Sequence, residues 1–373
     1  MAIQHSDLVR KEVALGVVRG FEPPNGFLYP TLTPWVPVQS DDVIFKYIAP
    51  QVSTLAPARA EDAESEMLER DDLVGLGRAS IIDWAVKDHY VASDVSRWRE
   101  YGDIAAQIGT DNFRMTVGAM TEDYQSKLAR DTALRRQNID NRLEKLAIDG
   151  LWTGQVGYND GKVTFTVPFG RPAAQQNQAP AGGTWDLAVS DPIAAIEAMN
   201  DFMYDTYGFR LTKAYTSTEV LRKMASSDKF IARSGLVQTT TSSPVDPKYL
   251  IPGWGPAAAQ AVIEAATGVQ IGVYDGYYRS RPIGGAVSTV NRFADQRDIV
   301  FLPPDDVIGD LTDLGMGFAG MLTSPHAEGN FTPGFYAWER ETVDPWGRDL
   351  GTGVKAFPLY PHLEYTYTMR VLP

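Results

Sequence analysis

The sequence predicts an α+β protein, a mixture of helices and strands around a sizeable core. Of its 373 residues 44% are hydrophobic, enough for a core in two or three domains of ~150 residues each. Its 33 glycines, 24 prolines, 17 tyrosines and eight tryptophans favour strands and turns over a helical bundle. Apolar residues recur at helical spacing in some segments and alternate in others, so both kinds of element are expected.

The composition also excludes several classes of site. The chain has no cysteine, which removes disulfides, zinc–thiolate centres and thiol nucleophiles. We expect a soluble chain without a secretion signal, because no run of ~18 apolar residues or signal-peptide core is apparent. The formal net charge of −13 disfavours tight nucleic-acid binding, since that affinity comes mostly from Lys and Arg on phosphates.

Residues 1–40 are predicted to form an extended arm. Five prolines between Pro23 and Pro37 oppose both a helix and a central strand, and such an arm would need neighbours to order it. Apolar residues then predict a strand over residues 43–48. A second strand, with period-two alternation, is predicted over residues 79–91.

Between these two strands lies an acidic stretch. Residues 61–72 hold seven acids and one base, a net charge of −6 and nearly half that of the chain. Loops longer than ~12–15 residues are uncommon inside compact domains. We therefore interpret the region as a long hairpin that projects from the body, with a solvated surface loop as the alternative.

A long, strongly charged helix is predicted over residues 109–150. Its apolar stripe runs through Ile139, Leu143, Leu146 and Ala147, and the charged positions are expected to be exposed or to contact neighbours. Gly150 is expected to end the helix. A hairpin should follow, because a turn at residues 159–161 precedes the alternating residues 163–167.

Residues 184–295 indicate an α/β domain, since helical and strand patterns interleave. The first helix has Asp191 as N-cap and Gly208 beyond its end. Thr216 and Glu219 fit the capping box of a second helix. A third helix over residues 257–266 leads into an alternating strand over 269–273.

The last part of the chain is predicted to be strand-rich. A short strand over residues 299–302 is closed by two prolines. Residues 363–371 alternate along their whole length, which predicts a terminal strand tied into a sheet.

No motif indicates catalysis convincingly. Gly315, Gly317 and Gly320 satisfy G-x-G-x-x-G, but no strand precedes them and a flexible loop is the better interpretation. The four histidines lack the i, i+4 spacing of a helical zinc site. We predict no catalytic residue, cofactor or metal. A glycoside hydrolase with paired acids is the enzymatic alternative.

Several segments resemble one family. RRQNIDNRLEKLAIDGLWTG, followed through a hairpin by VTFTVPFGRP, is similar to the long helix and next strand of lambda-type major capsid proteins of tailed bacteriophages, the phage capsid E family. GVQIGVYDGYY, FLPPDDVIG and DPWGRDLGTGVKAFPLYPHLEYTYTMRVLP resemble the axial strand, a late peripheral strand and the C-terminal region of that family. These segments are collinear with the family from about residue 40 onward.

The resemblance implies the Hong Kong ninety-seven phage capsid fold, with an N-terminal arm, an extended loop, a peripheral domain with a long spine helix, and an axial α/β domain. The implied divisions are an arm at 1–40, an extended two-stranded loop at 41–92, a peripheral domain with spine helix and hairpin at 93–183, an axial domain at 184–295, and returning peripheral strands with the C-terminal region at 296–373.

The function implied is that of a major capsid protein without catalytic activity. Copies would assemble in the host cytoplasm into hexamers and pentamers of an icosahedral shell that encloses double-stranded DNA in the virion. They would enclose DNA without sequence-specific binding and would not bind membranes. Expected partners are other copies, a scaffold and a portal, with a decoration protein as a further candidate. An encapsulin-like nanocompartment shell is the alternative.

The acidic hairpin tip is the expected contact with an adjacent subunit, through pairs with basic groups there. Each exposed pair would contribute only ~0.2–1 kcal/mol, so the effect would come from repetition. The residues expected at this contact are Arg59, Glu61, Glu64, Glu66, Glu69, Arg70, Asp71 and Asp72.

Overall fold

The computed structural model describes residues 11–48, 74–91, 111–161, 163–233, 255–280, 289–304, 318–343 and 346–373. Helices and strands are interspersed along them, which confirms the predicted α+β class. The chain divides into two units. The first draws on the ranges Met1–Val43, Ser80–Ala147 and Met321–Pro358, and the second on Ile44–Ala79, Ile148–Gly320 and Leu359–Pro373.

The described helices are α1 (Lys11–Gly20), α2 (Tyr29–Leu32), α3 (Asp111–Thr153), α4 (Pro192–Tyr207), α5 (Thr218–Ala225), α6 (Asp228–Arg233) and α7 (Pro256–Thr267). The described strands are β1 (Trp35–Pro37), β2 (Asp42–Ile48), β3 (Val74–Ser80), β4 (Ile82–Val91), β5 (Gln155–Asn159), β6 (Thr164–Pro168), β7 (Lys213–Thr216), β8 (Gln270–Val273), β9 (Tyr277–Ser280), β10 (Thr289–Arg292), β11 (Asp298–Leu302), β12 (Gly320–Thr323), β13 (Pro325–His326), β14 (Thr332–Pro333), β15 (Phe335–Val343), β16 (Trp346–Leu359) and β17 (Tyr367–Arg370).

The N-terminal region is not an extended arm where it is described. Helices α1 and α2 form within residues 11–40, so the prediction of a stretch without helices is wrong there. The prolines follow α1, and Pro30 occupies the first turn of α2. Its missing N–H costs no hydrogen bond there, because the first N–H groups of a helix have no partner within the helix. Helix α1 packs on β15 of the same chain, with Ala14 buried against Ala337 and Leu350.

The first unit contains a sheet with β16 at its centre. Val354 of β16 pairs antiparallel with both Phe335 of β15 and Trp84 of β4, so these strands flank β16 on opposite edges. Strand β12 extends the sheet, and β1 runs parallel to β12. Gly351 is required in β16 because the ring of Trp338 lies where a Cβ would stand.

The strand predicted over residues 79–91 is two strands. The strand is interrupted at Ile81. Strand β4 follows and belongs to the sheet of β16, whereas β3 pairs with β2 as a two-stranded ribbon. The predicted pairing of two strands is found, but β2 pairs with β3 over residues 74–80 and not with the strand predicted over residues 79–91.

Helix α3 is longer than predicted. It continues through Gly150 to Thr153, and Gly154, with a φ of 73°, follows its end. The predicted stripe at Ile139, Leu143, Leu146 and Ala147 is buried, at 2% exposure or less, and each larger side chain contributes roughly 1.5–3 kcal/mol by leaving water. The charged positions were expected to be exposed or to contact neighbours, and this is wrong for four of them, which the fold itself buries. They are Arg135, Arg136, Asp140 and Glu144.

The predicted hairpin after α3 is confirmed. Strands β5 and β6 pair antiparallel, from Gln155 opposite Pro168 to Asn159 opposite Thr164. Gly161 has a φ of 82°, as a tight turn requires, and its backbone N–H donates to the Asn159 side chain at 2.9 Å.

Helix α4 has the predicted caps. The carboxylate of Asp191 accepts a hydrogen bond from the Ala194 backbone, and Gly208 ends the helix with a φ of 82°. Helix α5 begins one residue later than predicted, with Ser217 rather than Thr216 as its N-cap. Thr216 belongs to β7, where its hydroxyl donates to the Asp298 carbonyl at 3.2 Å.

The second unit has a four-stranded sheet in the order β17-β11-β7-β8, in which β7 and β8 are parallel and the other pairs antiparallel. Helices α4 to α7 supply the other side of its core. Buried side chains in this core include Trp185, Phe230, Phe301, Met199 and Met203.

The C-terminal strand is shorter than predicted. Residues Leu363–Tyr365 form a 3-10 turn after Pro361, and only β17 pairs with β11. Thr366 and Thr368 on the alternate positions are buried too, because their hydroxyls hydrogen-bond to other segments of this unit. The link to a sheet is confirmed, and continuous alternation over 363–371 is wrong.

Candidate inter-subunit surface

The ribbon of β2 and β3 is anchored at its base by Asp41. Its carboxylate accepts a hydrogen bond from the Ser324 hydroxyl at 2.5 Å and forms an ion pair with Lys355 at 2.8 Å. The Asp41 carbonyl also accepts the Ile81 N–H at 2.8 Å. The hydrogen bond from Lys355, followed by that from Ser324, lowers the pKa of Asp41, so it remains ionised and paired at neutral pH.

The predicted contact residues themselves lie outside the described residues. All eight fall within 49–73: Arg59, Glu61, Glu64, Glu66, Glu69, Arg70, Asp71 and Asp72. What the structure describes is the ribbon that leads to this segment. Ser80 and Asp42, at the start of the ribbon, are joined by a side-chain hydrogen bond of 2.6 Å.

Strand β4, which continues from the ribbon, is joined to helix α3 by a buried arginine. Arg135 is 2% exposed, ion-pairs with Asp88 of β4 and donates to the Tyr90 hydroxyl at 3.2 Å. It also donates to Thr352 of β16 at 3.2 Å and to Thr132 at 2.7 Å. Burial of a guanidinium is tolerated here because these partners satisfy its donors.

A second buried group joins the N-terminal region to α3. The carboxylate of Glu144 accepts the backbone N–H groups of Leu28 and Tyr29, both at 2.9 Å, at the start of α2. The Tyr29 hydroxyl donates to Asp140 at 2.9 Å. These bonds fix residues 28–29 along the helix, which explains why this region is ordered by its own chain.

Asp140 also pairs with Arg136 at 3.1 Å, and Arg136 lies over the ring of Phe335, 3.1 Å from its centroid. Burial raises the pKa of Asp140 to about 6 and also raises that of Tyr29, while it lowers the pKa of Arg136. In each case burial disfavours the charged form. This cluster is structural, since all its members support α2, α3 and β15.

The described residues offer little that suggests chemistry. No group of three or more His, Cys, Asp or Glu side chains among them is placed to hold a metal ion. Gly320 begins strand β12 instead of a helix, which does not fit a dinucleotide fingerprint, while Gly315 and Gly317 lie outside the described residues. His89 pairs with Asp349, His326 stacks on Tyr336, and His362 is buried.

Two open clefts of about 610 and 520 Å³ lie on the second unit. Both are lined by opposite charges such as Glu219 and Lys223. Asp298, a buried carboxyl in this unit, lines neither of them. None of the described helices is both long and apolar enough to cross a membrane.

A family model described as phage major capsid protein E matches residues 21–324. The chain belongs to this family. It is therefore a major capsid protein, a structural subunit of the phage virion, and such a protein builds the shell from copies of itself. The match is to a phage family and so does not favour the encapsulin-like alternative.

The fold of this capsid protein is similar to that of solved phage proteins. A putative capsid protein of a prophage of Escherichia coli CFT073 is 15% identical, with a TM-score of 0.57 over 97% of this chain and 99% of that one. A phage-related protein from Bordetella bronchiseptica is 14% identical, with a TM-score of 0.52 over 98% of each chain. The predicted Hong Kong ninety-seven capsid fold is confirmed. A comparison with curated protein sequences finds no match.

The residues that position the ribbon and the N-terminal region were not found from the sequence. Asp41, Arg135 and Glu144 stand among other charged residues, and each has a partner far along the chain, at separations of 314, 217 and 115 positions. Local patterns carry no information about such pairs. One available signal was the position of Glu144 one turn from the apolar stripe of α3.

Proposed function

We propose that copies of this major capsid protein form hexamers and pentamers of an icosahedral shell around double-stranded DNA. The observation that carries the proposal is the match to the phage major capsid family over residues 21–324. The ribbon of β2 and β3 supports it, because its base is anchored by Asp41 while it leads into a segment with a net charge of −6. A ribbon held at its base is suited to reach a neighbouring copy.

The five divisions implied by the family resemblance belong to this proposal. Residues 1–40 serve as an arm that contains helices α1 and α2 and is not fully extended. Residues 41–92 serve as extended loop, 93–183 as peripheral domain, 184–295 as axial domain and 296–373 as returning strands and C-terminal region. Assembly takes place in the host cytoplasm with the help of scaffold and portal proteins, and a decoration protein is a further partner.

We further propose that the acidic segment, with Arg59 and Arg70, pairs with basic groups on an adjacent subunit. The test is a double charge reversal, Glu64→Lys with Glu66→Lys, followed by sedimentation velocity at a series of concentrations and salt levels. Weakened assembly is expected, with the largest difference from wild type at low salt, where exposed pairs are least screened.

The matched control reverses two exposed acids on α4, Asp201→Lys with Asp205→Lys, with the same change in charge. We expect it to assemble as the wild type does. If Glu64 and Glu66 can be reversed without effect on assembly or shell stability, the proposed contact is wrong, although self-assembly itself would stand.

The shell is proposed to enclose DNA without adhering to it and to catalyse no reaction. For the absence of adhesion the support is the net charge of −13, which repels phosphate backbones. Purified protein should show no retention of duplex DNA in a filter-binding assay at physiological salt. Tight, salt-resistant retention would contradict this part of the proposal.

A further inference from the structure

The turn between β13 and β14 presents an aromatic side chain to solvent. Phe331 is 75% exposed, in the segment PHAEGNFTPG. Its φ is +55°, and that of the preceding Asn330 is also +55°. Asparagine tolerates this left-handed region, but a bulky aromatic residue rarely adopts it.

Hydrogen bonds within the turn hold this conformation. The Phe331 N–H donates to the His326 carbonyl at 3.0 Å, and the Asn330 N–H donates to the Ala327 carbonyl at 3.2 Å. The Thr332 hydroxyl donates to the Gly329 carbonyl at 2.5 Å. The exposed ring therefore projects from a backbone that hydrogen bonds hold in one conformation.

The base of the turn is equally well supported. The ring of His326 stacks on that of Tyr336, with centroids 4.0 Å apart and planes 7° from parallel. Tyr336 is buried and donates to Asp83 at 2.6 Å. The His326 Nδ1 accepts the Glu328 N–H at 3.1 Å. The turn is thus fixed to the sheet of the first unit.

An exposed apolar residue needs no explanation by itself, but one held in a strained conformation does. Within the described part of the chain, Phe331 gains little burial in return for its unfavourable φ. We propose that Phe331 is an anchor residue that inserts into an apolar surface of a second copy of this chain. Aromatic side chains on rigid supports are enriched in the centres of such interfaces.

The occupant is inferred from the family and from charge. A major capsid protein packs against copies of itself, and the inference rests on that proposed assembly. The segment PHAEGNFTPG contains no Lys or Arg, and its Glu328 is exposed, so it is unsuited to a phosphate backbone. A protein surface is therefore the better partner for the ring than packaged DNA.

The test replaces Phe331 with glycine in the full chain. Phe331→Gly removes the ring and also relieves the backbone, so the Tm should stay the same or rise. The concentration needed for assembly should increase at least about tenfold, as expected for the loss of an interface anchor. Phe331→Asn is the second variant, because asparagine also accepts the left-handed region and should give the same result.

The control is Val343→Ala, at an exposed apolar residue on the end of β15. We expect it to assemble as the wild type does, and an equal loss in this control would overturn the assignment to Phe331. Unchanged assembly of both Phe331 variants would overturn the assignment as well. So would Phe331 variants that form normal shells and differ from wild type only in failing to retain DNA. A wild type that never assembles would instead refute the proposed assembly as a whole.

Discussion

Asp298 is a buried carboxyl whose Oδ1 has no hydrogen-bond partner among the described residues. Burial, reinforced by the nearby Asp295, raises its pKa from 3.8 to about 6 despite Arg370 and Arg297. Its protonated form is therefore favoured in the folded state. The stability that this preference contributes is fully present below pH ~4 and is lost as the pH rises through about 6.

We predict that Asp298→Asn gains stability relative to the wild type as the pH rises from 4 to 7, by about 1–3 kcal/mol. The free energy of unfolding in urea, measured across this pH range, provides the check. Asp205→Asn, at an exposed site, should show a nearly constant difference from wild type. A constant difference for Asp298→Asn as well would contradict the raised pKa.

Arg171 stabilises the end of α3 in a way that an apolar residue cannot replace. It donates to the carbonyls of Leu151 at 2.6 Å and Trp152 at 3.3 Å, and to the hydroxyl of Thr366 at 2.8 Å. These carbonyls belong to the last turn of the helix, where no N–H of the helix remains to pair with them. Burial lowers the pKa of Arg171 to about 9, so it stays charged at neutral pH.

Arg171→Met should destabilise the protein by about 2–4 kcal/mol, since several buried acceptors lose their donor. Arg171→Lys should recover only part of this, because an ammonium cannot reproduce the planar fork of donors. Arg210→Met is the control, at an exposed arginine paired with an exposed Asp201. Urea unfolding measures all three, and a loss below about 0.5 kcal/mol for Arg171→Met would refute this role.

Among the elements, α3 shows where sequence patterns succeed and where they fail. The apolar stripe was predicted because its spacing is local, but the end of the helix was placed at Gly150. Position 150 lies inside the helix and is a glycine because the ring of Tyr360 lies where a Cβ would stand, and a contact across 210 positions leaves no local signal. The same reasoning explains why the caps of α4 were predicted and Glu144 was not, since Asp191 bonds only three residues away.

Gly150→Ala should destabilise the protein although alanine favours helices by ~1 kcal/mol. A Cβ there would lie 2.5 Å from the ring of Tyr360, which is buried between Phe169 and Phe318. We expect a net loss of about 1–3 kcal/mol from overpacking. Gly16→Ala in α1, with open space at the Cβ, should instead be neutral or stabilising. Equal effects in thermal unfolding would show that Tyr360 does not select glycine.

At the scale of the whole molecule, the collinear segments of the sequence predicted the family and the capsid fold, and both are confirmed. The prediction was wrong for the N-terminal region, where the described residues fold back on their own chain through Glu144 and Asp140. The prolines there predicted a segment without helices. They all follow α1, however, and Pro30 occupies the first turn of α2, where proline is compatible with a helix. The contacts assigned to the acidic segment stay a prediction.

As a major capsid protein, this chain associates with copies of itself to build a shell. Negative-stain electron microscopy of the expressed full-length protein, over a range of concentrations, tests it most directly. We expect closed shells, tubes or ring-shaped capsomers. Particles that remain uniform single chains at every concentration would contradict it.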